Sequence, residues 1–148
     1  SSEFKKGITA FCNINAPKNL YVKVQNLFSR IGVLVDVNSE KKIDDFTGLI
    51  GSGPAYFFHL LQVYEKELLK ITEGNDRLTK SIISNLMIGV GTSIDSGKSL
   101  EELISSVASK KGTTEAGLKS MKANKISSSF NKSIKVAIKR SKEISSEF

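Results

Sequence analysis

Sulfur, histidine and proline are scarce in this 148-residue chain, which has one cysteine, one histidine, two prolines and no tryptophan. Cys12 therefore has no partner for an intrachain disulfide, and a lone thiol suits a reducing compartment. Cys12 and His59 together are too few ligands for a Cys/His zinc site, so no metal is expected. Cys12 ends the apolar run Ile8-Thr9-Ala10-Phe11-Cys12, which predicts a buried strand thiol rather than a nucleophile. An uninterrupted long apolar segment is missing too. Residues 46–64 contain no Asp, Glu, Lys or Arg, but Gly51-Ser52-Gly53-Pro54 breaks them into pieces too short to cross a bilayer. The first residues lack the basic-then-apolar pattern of a secretion signal. These absences predict a soluble, cytoplasmic protein with no membrane partner.

The chain carries a formal net charge of +7, so the placement of that charge decides whether an anionic polymer is a plausible partner. Lys41, Lys42, Lys110 and Lys111 fall in separate segments, and only Lys132, Lys135, Lys139, Arg140 and Lys142 cluster. That cluster follows the polar side of a helical repeat, with no aromatic RNA-binding motif or helix-turn-helix signature beside it. It reads as a solvated helix face, and no nucleic-acid partner is expected.

Hydrophobic spacing divides the chain near residue 42. Residues 7–13 are short, apolar and rich in β-formers, which predicts a strand. After Pro17, Leu20, Val24, Leu27, Phe28 and Ile31 recur at intervals of three and four, predicting a helix with Gly32 as its C-cap. Val33 to Val37 predicts a second strand. A strand–helix–strand unit implies a parallel pair, which is a poor free-standing object and resembles the last piece of a larger α/β sheet. From about residue 43 onward the pattern is helical throughout, with Asp44-Asp45 at a predicted helix start. Helices are expected over 54–71, from Leu78 to Ile94, from Leu100 to Val107, from Thr114 to Met121 and from Ile126 to Ser141. The first three turns of the 54–71 helix are apolar on nearly every side, so more than one neighbour should bury them. A second copy of the chain or a further domain would supply that cover. The tetrapeptide Ser1-Ser2-Glu3-Phe4 recurs at 145–148 and adds no pattern to the fold.

Two stretches depart from a plain helical bundle. Gly51-Ser52-Gly53-Pro54-Ala55-Tyr56 permits a tight backbone path into a helix, which serves a close-packed corner as well as it serves a site. Ser109-Lys110-Lys111-Gly112-Thr113-Thr114 lies between two predicted helices. Uncapped N–H groups at the second helix would grip a carboxylate or phosphate, with the two lysines adding positive potential. Thr113 or Thr114 could instead cap that helix, which is the structural alternative.

Together, these two stretches resemble the pyrroline-5-carboxylate reductase family. The first matches the family's Gly-Ser-Gly-Pro-Ala-Tyr segment without a gap. The second, Val107 to Leu118, is similar to its signature loop, usually Val-Thr-Ser-Pro-Gly-Gly-Thr-Thr followed by Ala-Gly-Leu. Here Lys110 and Lys111 replace Pro-Gly, Ser105 stands where Asp is common, and Ile50 where Ser is common. The resemblance implies a mainly α fold. This would be a helical dimerisation and substrate-binding domain of the 6-phosphogluconate dehydrogenase C-terminal type at 43–148, preceded at 1–42 by a remnant of a Rossmann-like nucleotide-binding sheet. It implies an oxidoreductase of proline biosynthesis that reduces 1-pyrroline-5-carboxylate to L-proline with NADPH or NADH. It also implies a homodimer, and in larger assemblies a ring of dimers. By the same resemblance, Thr114 serves the imine, and Ser109, Gly112, Thr113 and Thr114 hold the substrate carboxylate, while His59, Tyr56 and Tyr64 remain core or interface residues. No Gly-x-Gly-x-x-Gly turn follows a strand, and Gly48, Gly51 and Gly53 do not replace it. The chain is therefore expected to be the C-terminal part of such a reductase, inactive alone and binding no cofactor. The alternative is a non-enzymatic oligomerisation module or a remnant of such an enzyme.

Overall fold

A computed structural model describes residues 6–147, which form two compact units, one of residues 6–54 with 131–147 and one of residues 55–130. Residues 1–5 and 148, and with them most of the repeated terminal tetrapeptide, lie outside the described residues. The chain is mainly helical with one small parallel sheet, as the spacing of its apolar residues predicts.

In the first unit, β1 (Gly7–Phe11), α1 (Lys18–Phe28) and β2 (Gly32–Asp36) make the expected strand–helix–strand, with Gly7 paired to Gly32 and Phe11 to Asp36 in parallel register. Gly32 is not the helix C-cap expected of it. Ser29 caps α1, and Gly32 opens β2 with φ +154°, where a Cβ would sit 1.9 Å from the Gly7 carbonyl oxygen. Its lack of a side chain lets the strands meet. The far end of the sheet is tied to α1 by Tyr21. Its ring lies 5.3 Å from that of Phe11, its hydroxyl donates to the Asp36 carboxylate, and it accepts from Gln25 Nε2 at 3.2 Å. The Asp36 hydrogen bond raises the Tyr21 pKa by stabilising the protonated phenol. Cys12 falls just past β1 and is half-buried, so the expected buried strand thiol is not realised; pairing with β2 stops at Asp36.

Helix α2 (Glu40–Phe46) starts earlier than expected, which puts Asp44 and Asp45 in its last turns rather than at its start. It runs into a π-helical turn (Thr47–Gly51) in which the Ser52 N–H reaches back to the Thr47 carbonyl at 3.3 Å. Gly48 in that turn is buried, and a Cβ there would lie 2.5 Å from Cα of Ile138 in α7 (Ile126–Ser146). The backbones touch because position 48 has no side chain. Lys142 Nζ lies 2.5 Å from Asp45 Oδ1, a charge contact rather than an aligned hydrogen bond.

The second unit holds most of α3 (Gly53–Ile71), all of α4 (Asp76–Ile94), α5 (Leu100–Val107) and α6 (Thr113–Ala123), and the first turn of α7. Local polar devices set its corners. The Thr72 and Thr79 hydroxyls bond at 2.7 Å across the α3–α4 turn, and Thr79 is fully buried. Asn75 caps α4 by accepting from the Leu78 N–H at 3.0 Å. Ser99 and Glu102 form a reciprocal capping box at α5, and the Ser99 N–H and hydroxyl hold the Glu102 carboxyl below its usual range. Phe130 stands edge-on to Tyr56, with ring centroids 6.0 Å apart.

No large hydrophobic side chain among the described residues is buried. The expectation that the start of α3 is enclosed on several sides fails within the single chain: Phe57 is 56% exposed, Phe58 67% and Val63 62%. Among the described residues, none of the large apolar side chains of α3 is buried. The described helices therefore leave their apolar faces open, a large uncompensated cost in water.

Candidate functional site

The link between α5 and α6 places the four predicted site residues in a short turn and the helix start that follows it. Helix α5 ends at Val107, and Ala108 leaves the helical region with φ −98° and ψ 88°. The Gly112 N–H donates to the Ser109 carbonyl at 3.0 Å, closing a four-residue turn over Ser109-Lys110-Lys111-Gly112. Lys111, the third residue, has φ +58°. Gly112 is the N-cap of α6, extended at φ −85° and ψ 173°, and it supplies no side-chain cap. Thr113 and Thr114 are therefore the first two residues of the helix, not its cap, so the structural alternative for them is not realised. Both are exposed. Their N–H groups lie at an uncapped helix end where the backbone dipole favours an anion. The Gly112 N–H is already committed to the turn, which leaves the first-turn N–H groups as the donors for a ligand.

Ser109 is held against Gly112: a Cβ on Gly112 would come 2.2 Å from Ser109 Oγ and 3.0 Å from its carbonyl oxygen. The Ser109 hydroxyl thus occupies the space that any other residue at 112 would fill. One participant escapes a reading of composition alone. Glu115, in the first turn of α6, accepts the Lys111 N–H at 2.5 Å and pairs with Lys119 at 2.6 Å. The Lys119 interaction, followed by the Lys111 N–H, keeps its carboxyl below the ordinary glutamate range. The signal for it was an acidic residue three positions after the N-cap, the spacing of a capping box.

An open apolar groove of about 640 Å³ runs between α4 and α5, lined by Leu86, Val90, Ile94, Leu103, Ile104 and Val107. Its α5 side ends where the turn begins. In the first unit, Gly51-Ser52-Gly53-Pro54 connects the π-helical turn to α3. His59 is exposed on α3, and no cluster of three or more His, Cys, Asp or Glu able to hold a metal occurs among the described residues. None of the described helices is long and apolar enough to cross a membrane.

Comparison with known proteins gives a consistent result. Residues 40–144, from α2 through most of α7, match the family model for pyrroline-5-carboxylate reductase dimerisation. The chain is 38% identical over 110 residues to pyrroline-5-carboxylate reductase 1 of Bacillus spizizenii, covering 73% of this chain and 36% of that protein. It is 33% identical to pyrroline-5-carboxylate reductase 2 of Bacillus subtilis, covering all of this chain and 53% of that one. The fold is similar to that of 1-pyrroline-5-carboxylate reductase from Streptococcus pyogenes, with a TM-score of 0.83 and 24% identity over 96% of this chain and 55% of that one. It is similar also to the Plasmodium falciparum pyrroline carboxylate reductase solved with NADP bound, with a TM-score of 0.80 and 23% identity over 94% and 53% of the two chains. The chain thus spans between about a third and a half of the length of these curated relatives.

Proposed function

The chain belongs to the pyrroline-5-carboxylate reductase family, and on that premise we propose that it forms the substrate-gripping and dimer-forming part of an enzyme reducing 1-pyrroline-5-carboxylate to L-proline. The observation carrying this reading is the uncapped start of α6 directly after a closed turn, with Ser109, Gly112, Thr113 and Thr114 side by side. The substrate carboxylate sits on the Thr113 and Thr114 N–H groups, with the Ser109 hydroxyl beside it. The Thr114 hydroxyl donates to the imine nitrogen, which draws electron density from the C=N carbon and prepares it for reduction. A single donor in reach suffices for this step, consistent with a chain that offers no carboxylate pair or catalytic histidine at the turn.

The junction between β1 and α1 lacks the features of a dinucleotide-binding turn. The chain leaves β1 through Cys12-Asn13-Ile14-Asn15-Ala16, where Asn13 Oδ1 accepts the Ala16 N–H at 2.8 Å. The helix that follows is capped by Pro17, and no glycine lies between β1 and that helix to cradle a diphosphate. We place NADPH or NADH binding outside these residues, in the complete reductase. The open faces of α3, α4 and α5 support a homodimer, which in this reading assembles further into a ring of dimers. Its setting is the cytoplasm, with no nucleic-acid or membrane partner.

The test is oxidation of NADPH and NADH by the full-length protein with added pyrroline-5-carboxylate. Turnover with one or both is expected, and none with either would overturn the reading. The 148-residue chain alone is expected to transfer no hydride. Light scattering of the full-length protein separates a dimer from a ring, and a monomer would contradict the assembly proposed.

A further inference from the structure

We propose that Glu115 is a positioning residue for the substrate turn, locking Lys111 in a left-handed conformation so that Ser109, Thr113 and Thr114 face one ligand. The inference rests on the reading of this turn as the carboxylate site. Its starting point is Lys111 itself. With φ +58° at the third position of a closed turn, Lys111 stands where glycine is normally required, because a Cβ crowds the backbone there. Only two other non-glycine residues among the described ones share this sign of φ, Glu73 and Lys125. Each of those lies two residues past the end of a helix, where the last turn helps hold the conformation. Lys111 lies instead four residues beyond the end of α5, so its conformation needs another restraint.

Glu115 supplies it. The 2.5 Å contact from the Lys111 N–H to Glu115 Oε2 ties the turn's strained residue to the first turn of α6. The other carboxylate oxygen, Oε1, is occupied by Lys119 Nζ at 2.6 Å, which sets the carboxylate plane. A carboxylate accepting a backbone N–H next to a helix N-terminus is also favourably placed in the helix dipole. With one oxygen on the Lys111 N–H and the other on Lys119, Glu115 acts through Lys111 and the turn. Gly112 completes the device, since the Ser109 hydroxyl packs over it where a Cβ would collide.

The experiment uses the full-length protein and a double-mutant cycle of Glu115→Ala with Lys111→Gly, with Lys119→Ala as control. Glycine accepts the left-handed conformation without support, so it separates turn-holding from general helix support. Glu115→Ala is expected to raise KM for pyrroline-5-carboxylate roughly five- to tenfold while kcat stays within about twofold, as expected when a binding geometry is lost rather than the chemistry. In the Lys111→Gly background the same change should raise KM less than about twofold. Lys119→Ala leaves the Lys111 contact in place and should have the smaller effect of the two single variants. Hydrogen exchange of the peptide spanning 108–116 should accelerate in Glu115→Ala and not in Lys119→Ala. An unchanged KM in Glu115→Ala, or a KM rise undiminished by Lys111→Gly, would overturn the inference. Absence of turnover in the unsubstituted protein would instead overturn the functional reading. Hydrogen exchange would then still decide whether Glu115 holds the turn.

Discussion

The two glycine-bearing segments that mark this chain differ in what fixes them. At the π-helical turn, Gly48 is buried and meets the backbone of α7, so the segment is held by packing and a Cβ has nowhere to go. At the other segment Ser109, Lys110 and Lys111 are exposed and Gly112 is half-buried, and a hydrogen bond, a serine hydroxyl and the Glu115 carboxylate hold the turn. A segment clamped by backbone contact suits a scaffold. One held by polar contacts beside an open helix end suits a ligand, because its donors remain accessible to an incoming carboxylate. The two segments therefore answer differently to the same glycine-to-alanine change.

The largest expected effect is on the scaffold. Gly48→Ala forces the π-helical turn away from Ile138 and should lower the stability of the full-length protein by about 3 kcal/mol, read as a shift in its urea midpoint. Wild-type stability in that variant would mean that the close approach is not needed. Next is the chemical role of the turn. Thr114→Val, which keeps the shape and removes the hydroxyl, should reduce kcat roughly a hundredfold with an unchanged unfolding midpoint. Unchanged kcat would remove Thr114 from the imine. A smaller change is expected at the helix leading into the turn, where Ser99→Ala opens the α5 capping box and should cost about 1 kcal/mol in denaturant unfolding. The smallest is a pH effect. The Glu115 carboxyl is held below its ordinary range, so its contact contributes fully above the unfolded glutamate pKa and is lost as pH falls through the lowered folded value. Protection of the Lys111 amide from exchange should persist through mildly acidic pH and fade only below the ordinary glutamate range. Loss of protection near neutrality would contradict the direction of that shift.

Much of this contrast was legible in the order of residues. The interval of apolar positions located the strand–helix–strand and the helices carrying Leu78 to Ile94, Leu100 to Val107 and Ile126 onward, because amphipathic spacing depends on local geometry alone. Ser109, Gly112, Thr113 and Thr114 were read as a group because they fall within residues 109–114, in a segment resembling the family's signature loop. What escaped was set by contacts across the chain. Gly32 read as a helix cap, although Gly7 on the neighbouring strand is what requires its small size. Asp44 and Asp45 read as a helix start because the preceding turn of α2 has no apolar stripe to announce it. The π-helical turn leaves no trace in hydropathy, and the demand for glycine at 48 comes from α7, about ninety residues later. Lys111 in a left-handed conformation was hidden for the opposite reason: a lysine there contradicts the usual turn preference, and only the carboxylate four residues on accounts for it. The exposure of α3 reflects cover that one copy of the chain does not provide.

The contrast between packed scaffold and polar ligand turn meets its most direct test in Gly112→Ala. Its Cβ would displace the Ser109 hydroxyl from the turn while touching no buried backbone. In the full-length protein, KM for pyrroline-5-carboxylate and the urea midpoint are measured side by side. KM is expected to rise roughly tenfold or more with the midpoint unchanged. An unchanged KM, or a midpoint that falls as far as in Gly48→Ala, would contradict it.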